Sequence, residues 1–188
     1  IAGIFIILVP IIPLFIYDYF YMDWMNNLWV IKFYTRFLEQ YKSFPLVINS
    51  TNKGVGMVNP LFYGYLYYQI MSILDMVLGG TKRAIVFSMI IVELVAYESM
   101  TRAISIFINK KGFKSFWIVR GIVLISFWTP YLVSAIYDQG VRTEYMAVFF
   151  LYIIISCWIY SLFQSNFKVQ IFLWVLVAFN IMLMAVTH

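Results

Sequence analysis

The chain has 188 residues, of which 64% are hydrophobic and only 11% are charged, and its formal net charge is +5 at pH 7. This composition excludes a soluble domain, because the folded surface of such a domain would have to carry far more charge. The basic residues are scattered at the ends of apolar runs, where they meet lipid headgroups, so the positive charge does not indicate nucleic acid as a partner.

Long apolar runs follow one another along the chain, and each is about the length needed to cross a hydrocarbon core, roughly 20 residues. The sequence therefore predicts an all-α, polytopic transmembrane helical bundle with about six spans, in the cell membrane. We expect one membrane domain over 1–188, as the N-terminal fragment of a longer chain. The runs are 1–17, 60–78, 84–108, 116–137, 146–163 and 169–187.

The connection at 18–59 is the only one with room for structure of its own, and we interpret it as the first extracytoplasmic loop. Within it, apolar residues recur at three- and four-residue steps over 22–42, with charged and amide side chains largely between them. This spacing predicts an amphipathic helix. Its charges favour a helix that lies along the membrane surface or packs on the bundle, rather than a span.

The other connections are short, and 138–144 is expected to separate the fourth and fifth spans. Basic residues at 82–83 and at 110–114 flank one full span, so the positive-inside rule cannot place both groups in the cytoplasm. Either the rule is violated once or one segment does not cross fully. The fourth run is the candidate, because Thr129-Pro130 divides it.

Charged residues also fall inside the predicted spans, where each costs about 3 kcal/mol at the centre of a helix. Glu98 and Arg102 are four residues apart, which is the spacing of an ion pair on one helix face. Glu93 is protonated, paired with Arg120 across a helix interface, or lines a polar cavity. Asp75 is expected to reach water near the glycine turn that follows its run.

Two pairs of charged residues at the ends of the runs are candidate site residues. Asp18 and Asp23 lie at the start of the long loop, where partial desolvation by Trp24 and neighbouring tyrosines would raise basicity and suit a general base. The two acids could equally mark the end of the run, or Asp23 could favour a helix N-terminus. Arg142 and Glu144 could bind a phosphate or form a local salt bridge.

Common catalytic motifs do not occur in this sequence. It has no Walker loop, no dinucleotide-binding fingerprint and no His-Glu-x-x-His zinc motif. The only histidine is His188, so histidine catalysis is not expected. The only cysteine, Cys157, lies inside a predicted span and is expected to be a small packing residue.

The order of several short motifs resembles that of one bacterial family. The motifs are Asp23-Trp24, 59–63, Pro130-Tyr131, Arg142 and Glu144. In this order and spacing the chain resembles the bacterial membrane proteins labelled as related to 6-pyruvoyl-tetrahydropterin synthase, and through them the GT-C superfamily of membrane glycosyltransferases. The resemblance covers nearly the whole chain and implies no pterin chemistry.

The resemblance implies a GT-C-like fold that transfers a sugar from a polyprenyl-phosphate donor to a cell-envelope acceptor. It implies that Asp23 deprotonates the acceptor hydroxyl, and that Arg142, with Glu144 beside it, binds the lipid phosphate. Membrane lipid and a polyprenyl-phosphate-linked sugar are therefore the expected partners.

The family places a histidine where this chain has Asn26 and Asn27, and an asparagine there could hydrogen-bond a sugar hydroxyl. Asp18 and Asp23 could hold a divalent metal weakly, since enzymes of this superfamily vary in needing one. Two other functions stay open. Charges inside the spans would suit a transporter or flippase for lipid-linked sugars, and the missing histidine would suit a catalytically silent envelope scaffold.

Overall fold

The computed structural model describes residues 11–12, 16, 23–45, 48–49, 56–57, 65–108, 113–127 and 142–187. Within these ranges the chain forms six helices and one pair of two-residue strands. The helices are α1 Asp23–Tyr41, α2 Tyr65–Leu78, α3 Thr81–Ile108, α4 Phe113–Phe127, α5 Arg142–Phe163 and α6 Phe167–Thr187. The strands, β1 Ile48–Asn49 and β2 Gly56–Met57, pair antiparallel. The predicted all-α class is confirmed.

The helix α3 lies at the centre of the bundle and contacts α1, α2, α4 and α5, while α6 contacts α5 and α2. Small buried residues on α3, Ala84, Ala96 and Ala103, let the neighbouring helices approach closely. Larger side chains fill the space between the helices, and Met89, Tyr97 and Phe149 are 0–1% exposed.

The turn between α2 and α3 consists of Gly79 and Gly80. Gly79 has a φ of 65°, a left-handed conformation that favours glycine. The N–H of Gly80 donates to the carbonyl of Asp75 at 3.2 Å, the hydrogen bond that characterises a Schellman C-cap. Since the turn is this short, α2 and α3 are antiparallel neighbours.

The helix α1 coincides with the amphipathic helix predicted at 22–42. It packs on the bundle against α2 and α3, and Ile31, Tyr34 and Thr35 form its buried face. Lys32 and Arg36 lie on the opposite, exposed face.

One helix among the described residues, over Thr81–Ile106, is long and apolar enough to cross a membrane by length and composition. The other apolar helices that the structure describes are shorter by the same measure. Most of the first predicted span, and Thr129-Pro130 in the fourth, lie outside the described residues.

The predicted connection at 138–144 is wrong at its C-terminal end, because α5 already begins at Arg142 and includes Glu144. Arg and Glu are good helix formers, and the helix breaker Gly140 stands ahead of them rather than after them.

Large apolar side chains are exposed along α6. Each is at least a third exposed: Phe167, Val169, Ile171, Phe172, Trp174, Val175, Phe179, Ile181 and Met182. The sequence of α6 after Lys168 contains no charged residue, and the same holds for α5 over 145–163.

Candidate functional site

A buried carboxylate lies where α1, α2 and α3 meet. Asp75 of α2 is only 3% exposed. Its Oδ2 accepts a hydrogen bond from the Thr35 hydroxyl of α1 at 2.6 Å, and its Oδ1 accepts one from the Thr81 hydroxyl of α3 at 3.1 Å. Hydrogen bonds to a charged group contribute about 1.5–3 kcal/mol each, which offsets part of the cost of burying the carboxylate.

The prediction that Asp75 reaches water is wrong, because α1 covers this end of α2. The sequence carried a signal that could have shown this. Thr35 falls on the apolar stripe of α1, so its hydroxyl is buried and can donate either to the Ile31 carbonyl of the same helix, at 2.9 Å, or to a polar side chain of a neighbouring helix. Thr81 follows the glycine turn directly, so its hydroxyl is brought back towards the end of α2.

A second polar contact joins α1 to α2 nearer their N-termini. Asn27, one of the predicted site residues, is 8% exposed, and its Oδ1 accepts a hydrogen bond from the Tyr68 hydroxyl at 2.9 Å. The bond holds the carboxamide between the two helices. Asn27 therefore has an observed packing role, whereas sugar binding by this residue stays a prediction.

An ion-pair cluster links α3 and α4. Oε1 of Glu98 accepts a hydrogen bond from Nη2 of Arg120 on α4 at 2.7 Å. Nε of Arg102, on the same helix as Glu98, lies 3.6 Å from the other carboxylate oxygen of Glu98. The predicted pair of Glu98 and Arg102 is present, and Arg120 is added to it. The Arg120 guanidinium also lies 5.5 Å from the centre of the Tyr97 ring.

The acid Glu93 lies deeper in α3. It is 2% exposed, which keeps its carboxyl group away from bulk water. Cys157 on α5 is buried, in the position expected of a packing residue. No group of three or more His, Cys, Asp or Glu side chains that could hold a metal ion occurs among the described residues.

The remaining predicted site residues lie at helix N-termini or outside the described part of the chain. Asp23 is the first residue of α1, and Asn26 lies in its first turn. Arg142 is the first residue of α5, and Glu144 is in its first turn. Asp18 falls outside the described residues.

Contacts between α1 and α2 give their relative direction. Asn27 of α1 bonds to Tyr68 of α2, and Thr35 of α1 bonds to Asp75 of α2. The residue numbers of both helices therefore increase in the same direction, so the two helices are parallel. Asp23 therefore lies towards the start of α2. Because α3 reverses direction after the glycine turn, this is also the end of the bundle at which α3 finishes.

The direction of α5 follows from its contacts with α3 and α4. Ser156 donates to the sulfur of Met100 at 3.5 Å, whereas the earlier residue Phe149 contacts Phe127, whose ring in turn contacts Tyr97. Thus α5 runs in the same direction as α3. Its first residue, Arg142, is directed towards the start of α3, away from the end at which α1 begins.

No family model, curated protein or solved structure matches this chain. The family to which its motifs were compared therefore stays a prediction. The structure adds two polar contacts between helices that the sequence did not fully identify. One joins Asp75 to Thr35 and Thr81, and the other joins Glu98 to Arg120.

Proposed function

We propose that this chain is a multi-pass integral membrane protein. The observation that carries this proposal is the outward-facing surface of α6, on which large apolar side chains stand exposed without a single charge after Lys168. A soluble protein rarely exposes a continuous apolar surface of that extent, whereas lipid tails solvate it at no cost. The length of α3 is consistent with a spanning helix at the centre of such a bundle.

Within that membrane setting we propose the activity of a GT-C-type glycosyltransferase. Asp23 would take the proton of an acceptor hydroxyl on a cell-envelope polymer as the acceptor oxygen bonds to the anomeric carbon of the sugar. The bond from that carbon to the donor phosphate would break, and polyprenyl phosphate would leave. The configuration at the anomeric carbon of the transferred sugar would be inverted. The support is the order of the motifs in the sequence, together with a first loop whose helix begins at Asp23.

The role proposed for Arg142 depends on the end of the bundle at which α5 begins. The directions of α1 and α5 lead their first residues towards different ends of the bundle, which weighs against a pocket lined by both Asp23 and Arg142. A bifunctional maleimide about as long as a sugar phosphate, applied to Asp23→Cys with Arg142→Cys in a Cys157→Ser background, tests whether the two positions share a pocket. Cross-linking would support the pocket. A complete lack of cross-linking, although a simple maleimide labels each cysteine readily, would remove Arg142 from the donor site.

The activity itself is tested by replacing Asp23 with Asn and measuring incorporation of labelled sugar from a polyprenyl-phosphate donor. We expect a loss of at least about 100-fold, since general-base catalysis contributes roughly that much. Glu39→Gln is the matched control, because Glu39 is an exposed acid on the same helix. Equal incorporation by wild type and Asp23→Asn at equal expression would contradict the proposal.

A transporter or flippase for lipid-linked sugars is the second candidate, and the burial of Glu93 in α3 favours it. Buried acids inside spanning helices are typical of proton-coupled carriers. Glu93→Gln should abolish uptake of a lipid-linked sugar in vesicles if the chain is a carrier. The same variant should leave sugar transfer unchanged if the chain is a transferase.

A further inference from the structure

An aromatic ladder runs along the outer side of α1. Trp29 stacks on Phe33 with ring centres 5.9 Å apart, Phe33 lies 6.1 Å from Phe37, and Phe37 lies 4.5 Å from Tyr41. The spacing of four residues keeps the four rings on one flank of the helix. Both ends of the ladder are open, with Trp29 43% exposed and Tyr41 56% exposed.

A basic stripe lies beside this ladder. Lys32 and Arg36 are exposed and four residues apart, so they point to the same side of α1. Neither takes part in an ion pair among the described residues. Glu39 is the only acid on the exposed side of the described turns of the helix, and Lys42 follows the last turn. The ladder and the stripe together, Trp29, Lys32, Phe33, Arg36, Phe37 and Tyr41, are called the α1 outer face.

The C-terminal half of α1 is held next to another basic segment. The Thr35 hydroxyl bonds to Asp75, which bonds in turn to Thr81 at the start of α3. Lys82 and the exposed Arg83 follow directly. The end of the bundle that carries the glycine turn therefore combines basic side chains from two helices with open aromatic rings.

We propose that the α1 outer face binds the headgroups of anionic phospholipids. Lysine and arginine contribute attraction to anionic lipid, and tryptophan and tyrosine rings favour the boundary between headgroups and acyl chains. Charge complementarity selects anionic over zwitterionic lipid, because neither cation of the stripe forms an ion pair with another of the described residues. The proposal rests on the membrane location proposed above and is independent of sugar transfer.

The test uses the full chain reconstituted in vesicles of phosphatidylcholine doped with a photoactivatable lipid. One preparation contains a phosphatidylglycerol probe and the other a phosphatidylcholine probe, each reactive in its headgroup. Lipid adducts are then assigned to α1, α4, α5 or α6 by peptide mass spectrometry. We expect adducts over 29–41 to form preferentially with the phosphatidylglycerol probe. The preference should fall about fivefold for each cation removed in Lys32→Gln and Arg36→Gln.

Lys168→Gln is the matched control, because Lys168 is an exposed cation at the start of another helix. It should leave the adducts on α1 unchanged. Adducts on α5 and α6 without any preference for phosphatidylglycerol on α1 would overturn the lipid proposal and leave the membrane proposal standing. An absence of adducts on every helix would overturn both. Because all three substituted side chains are exposed, the variants are expected to fold.

Discussion

The Thr35 hydroxyl of α1 lies 2.6 Å from Oδ2 of Asp75 on α2, and both residues are less than 5% exposed. This contact fastens the amphipathic helix to the bundle through a carboxylate that also bonds to Thr81 of α3. Three helices thus share one buried acid, and the stability of α1 on the bundle should depend on it.

Thr35→Val should weaken the attachment of α1 to the bundle, because valine has nearly the shape of threonine but cannot donate a hydrogen bond to the carboxylate. We expect a loss of about 2 kcal/mol in the free energy of unfolding, the cost of leaving a buried acceptor without its donor. Thermal unfolding in detergent, followed by circular dichroism, measures it. Thr35→Ser keeps the hydroxyl and should lose less. Equal melting temperatures for Thr35→Val and wild type would show that the bond contributes nothing.

Gly79→Ala should destabilise the turn between α2 and α3. A Cβ at this position would meet nothing within 4 Å, so the cost comes from the backbone alone, at a φ of 65°. We expect about 1 kcal/mol from the same melting experiment. Gly80→Ala is the control, since its Cβ would make only ordinary contacts of 3.8 Å with the Arg83 side chain. A larger effect at Gly80 than at Gly79 would contradict this account.

Arg120 and Arg102 should contribute unequally to the Glu98 cluster. The Arg120 side chain is 17% exposed and bonds to Glu98 at 2.7 Å, whereas the Arg102 side chain is 69% exposed at 3.6 Å. Arg120→Gln should cost about 1–2 kcal/mol. Arg102→Gln should cost at most about 0.5 kcal/mol, as expected of an exposed pair within one helix. A double-mutant cycle with Glu98→Gln separates the two couplings, and equal couplings would disprove the ranking.

The proposal that the exposed apolar side of α6 faces lipid can be tested by labelling. In a Cys157→Ser background, Val175→Cys should resist a membrane-impermeant maleimide in vesicles, because Val175 is 58% exposed on an apolar surface that lipid would cover. Ser165→Cys, in the short loop before α6, should react readily in vesicles opened to the reagent on both sides. Rapid labelling at both positions would place α6 in water and contradict the membrane proposal.

Residue patterns predicted the helices better than they predicted the polar contacts between them. The step of three and four residues over 22–42 identified α1 to within one residue at each end, because its apolar stripe is the property that packing requires. The same spacing rule found the pair of Glu98 and Arg102. It could not find Arg120 as the closer partner, since that contact depends on how α4 lies against α3.

The error at Asp75 has the same origin. Distance from the end of an apolar run suggested contact with water, but burial there is decided by α1, which comes from a segment some 40 residues earlier in the chain. The sequence also places the start of α5 too late, after residue 144. Polar residues such as Arg142 and Glu144 occur both in loops and in the first turn of a helix, so their type does not locate the helix start.

The junction at Asp75 has a consequence for the order in which the protein is made. The Asp75 carboxylate accepts from Thr35, and the Thr81 hydroxyl donates to the same carboxylate. Both groups are synthesised after α1 has been completed. Until then, the apolar stripe that includes Ile31 and Tyr34 has no final place to dock. The docking of α1 is therefore a late step, because it follows the synthesis of the hairpin formed by α2 and α3.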